Sequence, residues 1–305
     1  MGTTYHVKVV ARDVELNTEA LRDAVEAALG KVDEAMSTYE PTSALSRFNA
    51  SDAGPPFPLS EQLRTVFDLA LKVSRETNGA FDVTVAPLVD AWGFGPDGQS
   101  APPDVGAVES LRARVGYKGL SLSEAGLKKA SAEIHCDLSA IAKGYGVDQA
   151  AAALEALGAK HYMVEVGGEI RARGRNASGV PWRIAIEKPV EGEVTGQRIV
   201  GLEDIALATS GDYRNFYIDE QGQRRSHTID PRTGYPVAHS LASVSVFHES
   251  CALADAYATA LMVLGPEEGI AFAEKHQIAA LLLVRSGNDI EERTSSAFDA
   301  LFAER

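Results

Sequence analysis

The sequence predicts an α+β fold in which mixed, largely antiparallel sheets are flanked by helices. Strand-like stretches follow one another in runs, with long helices beside the runs; strict strand–helix alternation would instead point to a doubly wound parallel sheet. The 305 residues are 45% hydrophobic and 24% charged, enough apolar material for a large core. They read as one domain, residues 1–305, with room for two intimately packed subdomains.

In chain order, residues 3–12 alternate like a half-buried strand. Residues 17–37 form an amphipathic helix with Asn17 or Thr18 as N-cap. A polar loop over 38–49 precedes a second helix over 60–78, which Gly79 ends. Residues 80–95 begin strand-like and end in a Trp-Gly-Phe-Gly turn, and the Pro- and Gly-rich 93–105 is a surface connection. A helix over 106–115 and a hairpin over 119–130 follow. Residues 135–141 read as a buried strand or strand end, running into a helix over 144–157. Strands come next at 162–173, 182–188 and 197–209, then a turn-rich loop over 222–236 and a strand over 242–247. Helices over 251–264 and 267–276, a strand over 278–285 and an edge or loop over 286–296 complete the chain.

Composition excludes some functions. A formal net charge of −14 argues against nucleic acid or an anionic membrane as the main partner. The two cysteines, Cys136 and Cys251, lack zinc or redox spacing. No apolar run is long enough to span a membrane, and none resembles a signal peptide. Gly93-Phe-Gly-Pro-Asp-Gly98 fits G-x-G-x-x-G in letters only: Pro96, Pro102 and Pro103 stand where the phosphate-binding helix would run.

The chemistry centres on the 251–264 helix, which is apolar almost all round and therefore buried. Asp255 and Thr259 project from one face at i, i+4. With no cation in the helix, Asp255 is met either by backbone donors or a distant arginine, or by a metal ion. The block Asp137-Leu-Ser-Ala140-Ile-Ala-Lys143-Gly144-Tyr-Gly-Val-Asp148 reads as a small-residue turn where amides and Lys143 face an anion, or as a plain strand–helix turn. His227, in a structured loop, is either structural or a general base. Thr209-Ser210-Gly211-Asp212-Tyr213-Arg214 offers hydroxyls and an arginine to a phosphate. Gly167-Gly168 marks a bulge or a close approach. Tyr39, Phe81, Trp92 and Trp182 are core or stacking aromatics.

Read together and in order, these motifs resemble the bacterial FAD:protein FMN transferase (ApbE-type) family. The resemblance rests on Met36-Ser-Thr-Tyr39, Ser46-Arg-Phe-Asn49, Gly79-Ala-Phe-Asp-Val-Thr-Val85, Trp92-Gly-Phe-Gly95, the 137–148 block, Val166-Gly-Gly168, Thr209-Ser-Gly211, Ser226-His-Thr-Ile-Asp-Pro231 and Ala254-Asp-Ala256 through Thr259. It covers roughly residues 1–285. It implies a T-fold-like ApbE architecture and a magnesium-dependent enzyme that cleaves FAD at its pyrophosphate, joins FMN to a threonine hydroxyl of an acceptor protein and releases AMP. Asp255 and Thr259, with the Ala140 carbonyl, are the implied Mg2+ ligands. Met1, Tyr39, Ala80, Phe81, Asp82, Asp137, Lys143 and Ile229 are the implied FAD contacts, and His227 the implied base. The implied acceptors are subunits of a sodium-pumping NADH:quinone oxidoreductase or a related complex. The implied location is the periplasmic side of the bacterial inner membrane, with a lipid anchor on a leader preceding Met1. FAD hydrolysis to FMN and AMP, and flavin binding without turnover, are the competing readings.

Overall fold

The computed structural model describes residues 2–11, 16–96, 98, 102–189, 196–213, 215–287 and 289–303; Met1 and Arg214, both singled out by the sequence, lie outside them. The elements run β1 (Tyr5–Val9), α1 (Thr18–Met36), α2 (Ala44–Asn49), α3 (Glu61–Glu76), a 3₁₀ turn (Val83–Val85), α4 (Ala86–Ala91), α5 (Val105–Arg112), β2 (Leu120–Ser123) and β3 (Gly126–Lys129). They continue with α6 (Ser139–Ala156), β4 (Tyr162–Val166), β5 (Glu169–Arg173), β6 (Trp182–Glu187), β7 (Gly196–Leu202), β8 (Ile205–Gly211), β9 (Phe216–Ile218), β10 (Arg224–Ser226), β11 (Ile229–Asp230) and β12 (Tyr235–Pro236). The last are β13 (Leu241–His248), α7 (Cys251–His276), β14 (Ala279–Ser286), β15 (Asp289–Thr294) and α8 (Ser296–Phe302). They form two compact units: Met1–Val32 with Ile141–Tyr213 and Ser240–Arg305, and Asp33–Ala140 with Arg214–His239.

The first unit is built on a seven-stranded sheet, β1-β4-β5-β8-β13-β14-β15, antiparallel throughout. Strand periodicity of two sends alternate side chains to two different cores. On β4, Tyr162, Val164 and Val166 join Leu21 and Val25 of α1 and Val147, Ala150 and Leu154 of α6. Met163 joins Trp182, Ile186, Val200, Leu202 and Phe298, contributed by β6, β7 and α8. The sheet is therefore buried on both faces, which is why β14 reads as an unbroken apolar run. The two helices expected at 251–264 and 267–276 are the halves of α7, broken at Gly265 (φ 80°, ψ −177°), where Pro266 follows.

The second unit packs short helices and hairpins. Leu88, Trp92, Val108 and Ile229 form a buried cluster, and Trp92 Nε1 donates to the Gly234 carbonyl at 2.8 Å. Buried Lys129 donates from Nζ to the carbonyls of Asn49 (2.8 Å), Ala132 (3.2 Å) and Ile134 (3.3 Å). Its charge is thus spread over three backbone oxygens, which fix the chain leading to residue 137.

Several local expectations give way to capping and side-chain pairing. Residues 44–49 of the expected loop are helical, because Ser43 Oγ accepts the Ser46 N–H at 3.0 Å. The strand expected from Ala80 is absent: Asp82 caps a 3₁₀ turn through the Thr84 N–H, and Pro87 in the first turn of α4 keeps the chain helical. Residues 134–138 are extended but unladdered. The Asn49 side chain takes the place of a neighbouring strand, donating to the Cys136 carbonyl and accepting its N–H, both at 2.8 Å. The helix that follows starts at Ser139, five residues before the expected Gly144. The stretch over 162–173 is two strands joined at Gly167 (φ 58°) and Gly168 (φ 102°), a hairpin turn rather than a bulge. Residues 197–209 split into β7 and β8, separated at Asp204, which has a left-handed φ of 56°. The expected loop over 222–236 carries β10, β11 and β12, and 289–294 form the edge strand β15.

Two glycines make opposite predictions about stability. A Cβ on Gly144 would lie 2.3 Å from the Cys251 carbonyl oxygen, whereas one on exposed Gly30, inside α1, meets nothing within 4 Å. Gly144→Ala is expected to cost about 3 kcal/mol by overpacking. Gly30→Ala is expected to add about 0.5–1 kcal/mol through helix propensity and unfolded-state entropy. Urea midpoints of the two variants check both signs.

Candidate active site

In the first unit, two inter-helix carboxylates hold α6 against the start of α7. Asp148 of α6 accepts the N–H groups of Cys251 (3.0 Å) and Ala252 (3.1 Å) and the Ser250 hydroxyl (2.9 Å), while Arg171 of β5 donates to it at 2.6 Å. It caps a helix from outside that helix, satisfying amides that the first turn leaves without partners. One turn earlier on α6, Gly144 has no side chain, so the backbones approach closely enough for its N–H to reach Asp255 Oδ2 at 3.0 Å.

Asp255 is 3% exposed, yet the Gly144 amide is the one hydrogen-bond partner of its carboxylate among the described residues. Burial pushes its pKa up, against the pull of Lys143 and the Gly144 N–H. One turn on, Thr259 Oγ1 lies 3.1 Å from Ser210 Oγ of β8. Lys143 Nζ, on a side chain one-third exposed, sits 2.5 Å from Oε1 of Glu169, which is 2% exposed. Burial opposes the Lys143 charge, but Asp255 and Glu169 outweigh it and hold the ammonium above the ordinary lysine value. Burial, reinforced by Asp255, lifts Glu169 to about 7. Two carboxylates thus share one cation in a buried place. Hydroxyl, carboxylate and carbonyl oxygens suit a hard cation such as Mg2+ better than zinc.

The remaining candidates belong to the second unit. Asp137 accepts the Ser139 N–H at 2.8 Å and is anchored by its own N–H to the Val83 carbonyl at 2.7 Å; burial raises its pKa. Ala140 is the second residue of α6. Ala80 and Phe81 are buried, and the Phe81 N–H donates to Thr77 Oγ1 at 3.1 Å. Asp82 spends its carboxylate on the N–H (2.9 Å) and hydroxyl (2.6 Å) of Thr84 and the N–H of Tyr117 (2.7 Å). Tyr39 is 72% exposed, whereas Ile229 lies in the core beside Trp92. His227 Nδ1 is 3.0 Å from the Asn215 carbonyl. That acceptor requires a proton on Nδ1, so in the neutral ring Nε2 is the basic nitrogen.

Three contacts of this site have no counterpart in the sequence reading. Glu169, Asp148 and Gly144 each work through partners 26, 103 and 111 residues away. Only the glycine left a local trace, and it read as a turn.

The matching family model is that of the ApbE family, over residues 1–282. The chain belongs to the ApbE family. A FAD:protein FMN transferase of Vibrio cholerae is 46% identical over 302 residues, 98% of this chain and 89% of its own, and that of Haemophilus influenzae is 43% identical over 99% and 89%. The solved flavin transferase ApbE of V. cholerae matches with a TM-score of 0.91 at 43% identity, covering 98% of this chain and 96% of that one. The apo flavinyl transferase ApbE of Pseudomonas stutzeri matches with a TM-score of 0.91 at 42% identity over 100% and 95%. The α+β, antiparallel architecture of this ApbE chain is thus that of the solved flavin transferases, and its curated relatives are enzymes.

The Asp148 clamp is expected to be structural. Asp148→Ala removes charge-assisted bonds to two helix amides and should cost about 2–3 kcal/mol of stability. Chemical denaturation measures the loss, and a denaturation midpoint equal to wild type would show that the clamp carries no stability.

Proposed function

We propose that this chain transfers FMN from FAD to a threonine hydroxyl of an acceptor protein, releasing AMP. The observation that carries the reading is Asp255: a carboxylate kept buried with one hydrogen bond, its hydroxyl neighbour Thr259 a turn away and the Lys143 ammonium beside it. Asp255, Thr259 and the Ala140 carbonyl would hold Mg2+, which when bound neutralises and orients the pyrophosphate. After its bond to Glu169, Lys143 has N–H donors left for phosphate oxygens. His227 Nε2 takes the proton of the acceptor threonine as its oxygen attacks the FMN phosphorus. The bond from that phosphorus to the bridging oxygen breaks, and that oxygen leaves with AMP. Tyr39, Ala80, Phe81, Asp82, Asp137 and Ile229 are assigned to FAD binding, on the resemblance of the motifs. On the same ground, the acceptor is a subunit of a sodium-pumping quinone reductase or related complex, and the protein works on the periplasmic side of the inner membrane, lipid-anchored.

Incubation with FAD, Mg2+ and an acceptor domain carrying the target threonine is expected to give covalent flavin fluorescence on a denaturing gel. Free FMN and AMP without labelled acceptor would replace transfer by hydrolysis, and unchanged FAD would leave binding alone. Asp255→Ala should lower the transfer rate by about 10³-fold, the worth of several kcal/mol of charge stabilisation. His227→Ala should slow transfer by about 10²-fold or more with FAD still bound, as expected for loss of a general base. Chelation of Mg2+ should stop the wild-type reaction.

A further inference from the structure

The pair Lys143–Glu169 is unequal in a way that a purely structural salt bridge is not. Glu169 is 2% exposed, and its Oε2 is buried without a hydrogen-bond partner among the described residues. Leaving a buried carboxylate oxygen unsatisfied is costly, so the pair is poorly built for stability. Lys143 is the opposite: a third of its side chain is exposed, and among the described residues Glu169 is its one hydrogen-bonding partner. Its stem passes close over Gly167, in the β4–β5 turn, where a Cβ would lie 3.4 Å from Lys143 Cδ. The other negative neighbour of the ammonium is Asp255, whose carboxylate has a single backbone donor. Without Glu169, the nearest compensation for that buried charge would be Lys143 itself, and an ammonium folded onto Asp255 would compete with any cation there.

We propose that Glu169 is a positioning residue. It holds the Lys143 ammonium off the Asp255 carboxylate, leaving that carboxylate open to a divalent cation and the remaining N–H donors open to an anionic phosphate. This role rests on the FAD and Mg2+ reading above and adds to it a residue that touches neither ligand. Asp148 provides the internal contrast: its charge is answered by two amides, a hydroxyl and Arg171, as a structural carboxylate requires.

The test measures binding rather than turnover. FAD binding by flavin fluorescence and Mn2+ binding by electron paramagnetic resonance are compared in wild type, Glu169→Gln, Lys143→Gln and the double variant, each checked for a folded melt. Glu169→Gln should weaken both ligands about tenfold, as loss of one charge-assisted bond implies. In the Lys143→Gln background the same change should add nothing to the loss of FAD affinity, because Glu169 acts on FAD through Lys143. Equal ligand affinities in Glu169→Gln and wild type overturn the positioning role. Should Glu169→Gln not fold, the charge-neutral double variant is set against Lys143→Gln, and a further fall in FAD affinity there overturns it. A wild-type protein that binds no FAD with Mg2+ present would remove the function reading, and this role with it.

Discussion

The first unit depends on the close approach of α6 and α7 at Gly144. With any larger residue there the backbones would stand apart, and the Gly144 amide would not reach Asp255. That one contact does two things. It brings a carboxylate into the sheet unit's interior and supplies that carboxylate with an amide donor. Both helices have almost no amphipathic pattern because both are enclosed: α6 buries Ile141, Tyr145, Val147 and Leu154 on different sides, and α7 buries nearly its whole first half. Polar groups on such helices survive only with partners, so each one present has a role that its partners reveal.

Two aspartates make the point. Asp148 and Asp255 both sit where α6 meets α7. The first is satisfied at both oxygens, by backbone, hydroxyl and guanidinium donors. The second has one amide and a shared lysine. Burial of a charge without compensation is tolerated only where something else supplies the compensation. The difference in hydrogen bonding separates a carboxylate that builds the fold from one whose charge the described residues leave largely unanswered, and the latter is the one the proposed function uses.

Much of this was legible in the sequence where the signal was local. The i, i+4 pair of Asp255 and Thr259 in an apolar helix, the Asn17 cap, and the break at Gly265-Pro266 all follow from short-range rules. What failed was the reading of glycine. Gly144 looks like turn punctuation but is a close-approach residue inside α6, so the helix begins at Ser139 and not at the expected Gly144. Gly167-Gly168 reads as a bulge or a close approach; the structure has no bulge there but a two-residue hairpin with Thr3 and Lys143 close to Gly167, and the hairpin places Glu169 directly opposite Val166 on the neighbouring strand. Val83-Thr84-Val85 has strand residues, but Asp82 captures the backbone first. Glu169 left no trace at all, since a lone acid at the start of a strand is ordinary until the fold brings a lysine from 26 residues upstream.

The donor set assigned to Mg2+ has a consequence for the order of binding. It contains one carboxylate, a neutral hydroxyl and a neutral carbonyl, and the Lys143 ammonium, which Asp255 and Glu169 hold charged, would oppose an incoming cation. Tight Mg2+ sites in proteins use more carboxylates or borrow phosphate oxygens. Glu169, by drawing the ammonium to itself, weakens the repulsion but does not remove it. The remaining charge is what a pyrophosphate brings: its oxygens complete the cation's shell and accept the free donors of Lys143 in the same step. On the proposed reading, metal and dinucleotide therefore favour each other's binding. On the proposed reading, a buried carboxylate with one amide donor is no flaw in the core, because the cation that arrives with the dinucleotide supplies the compensation it lacks.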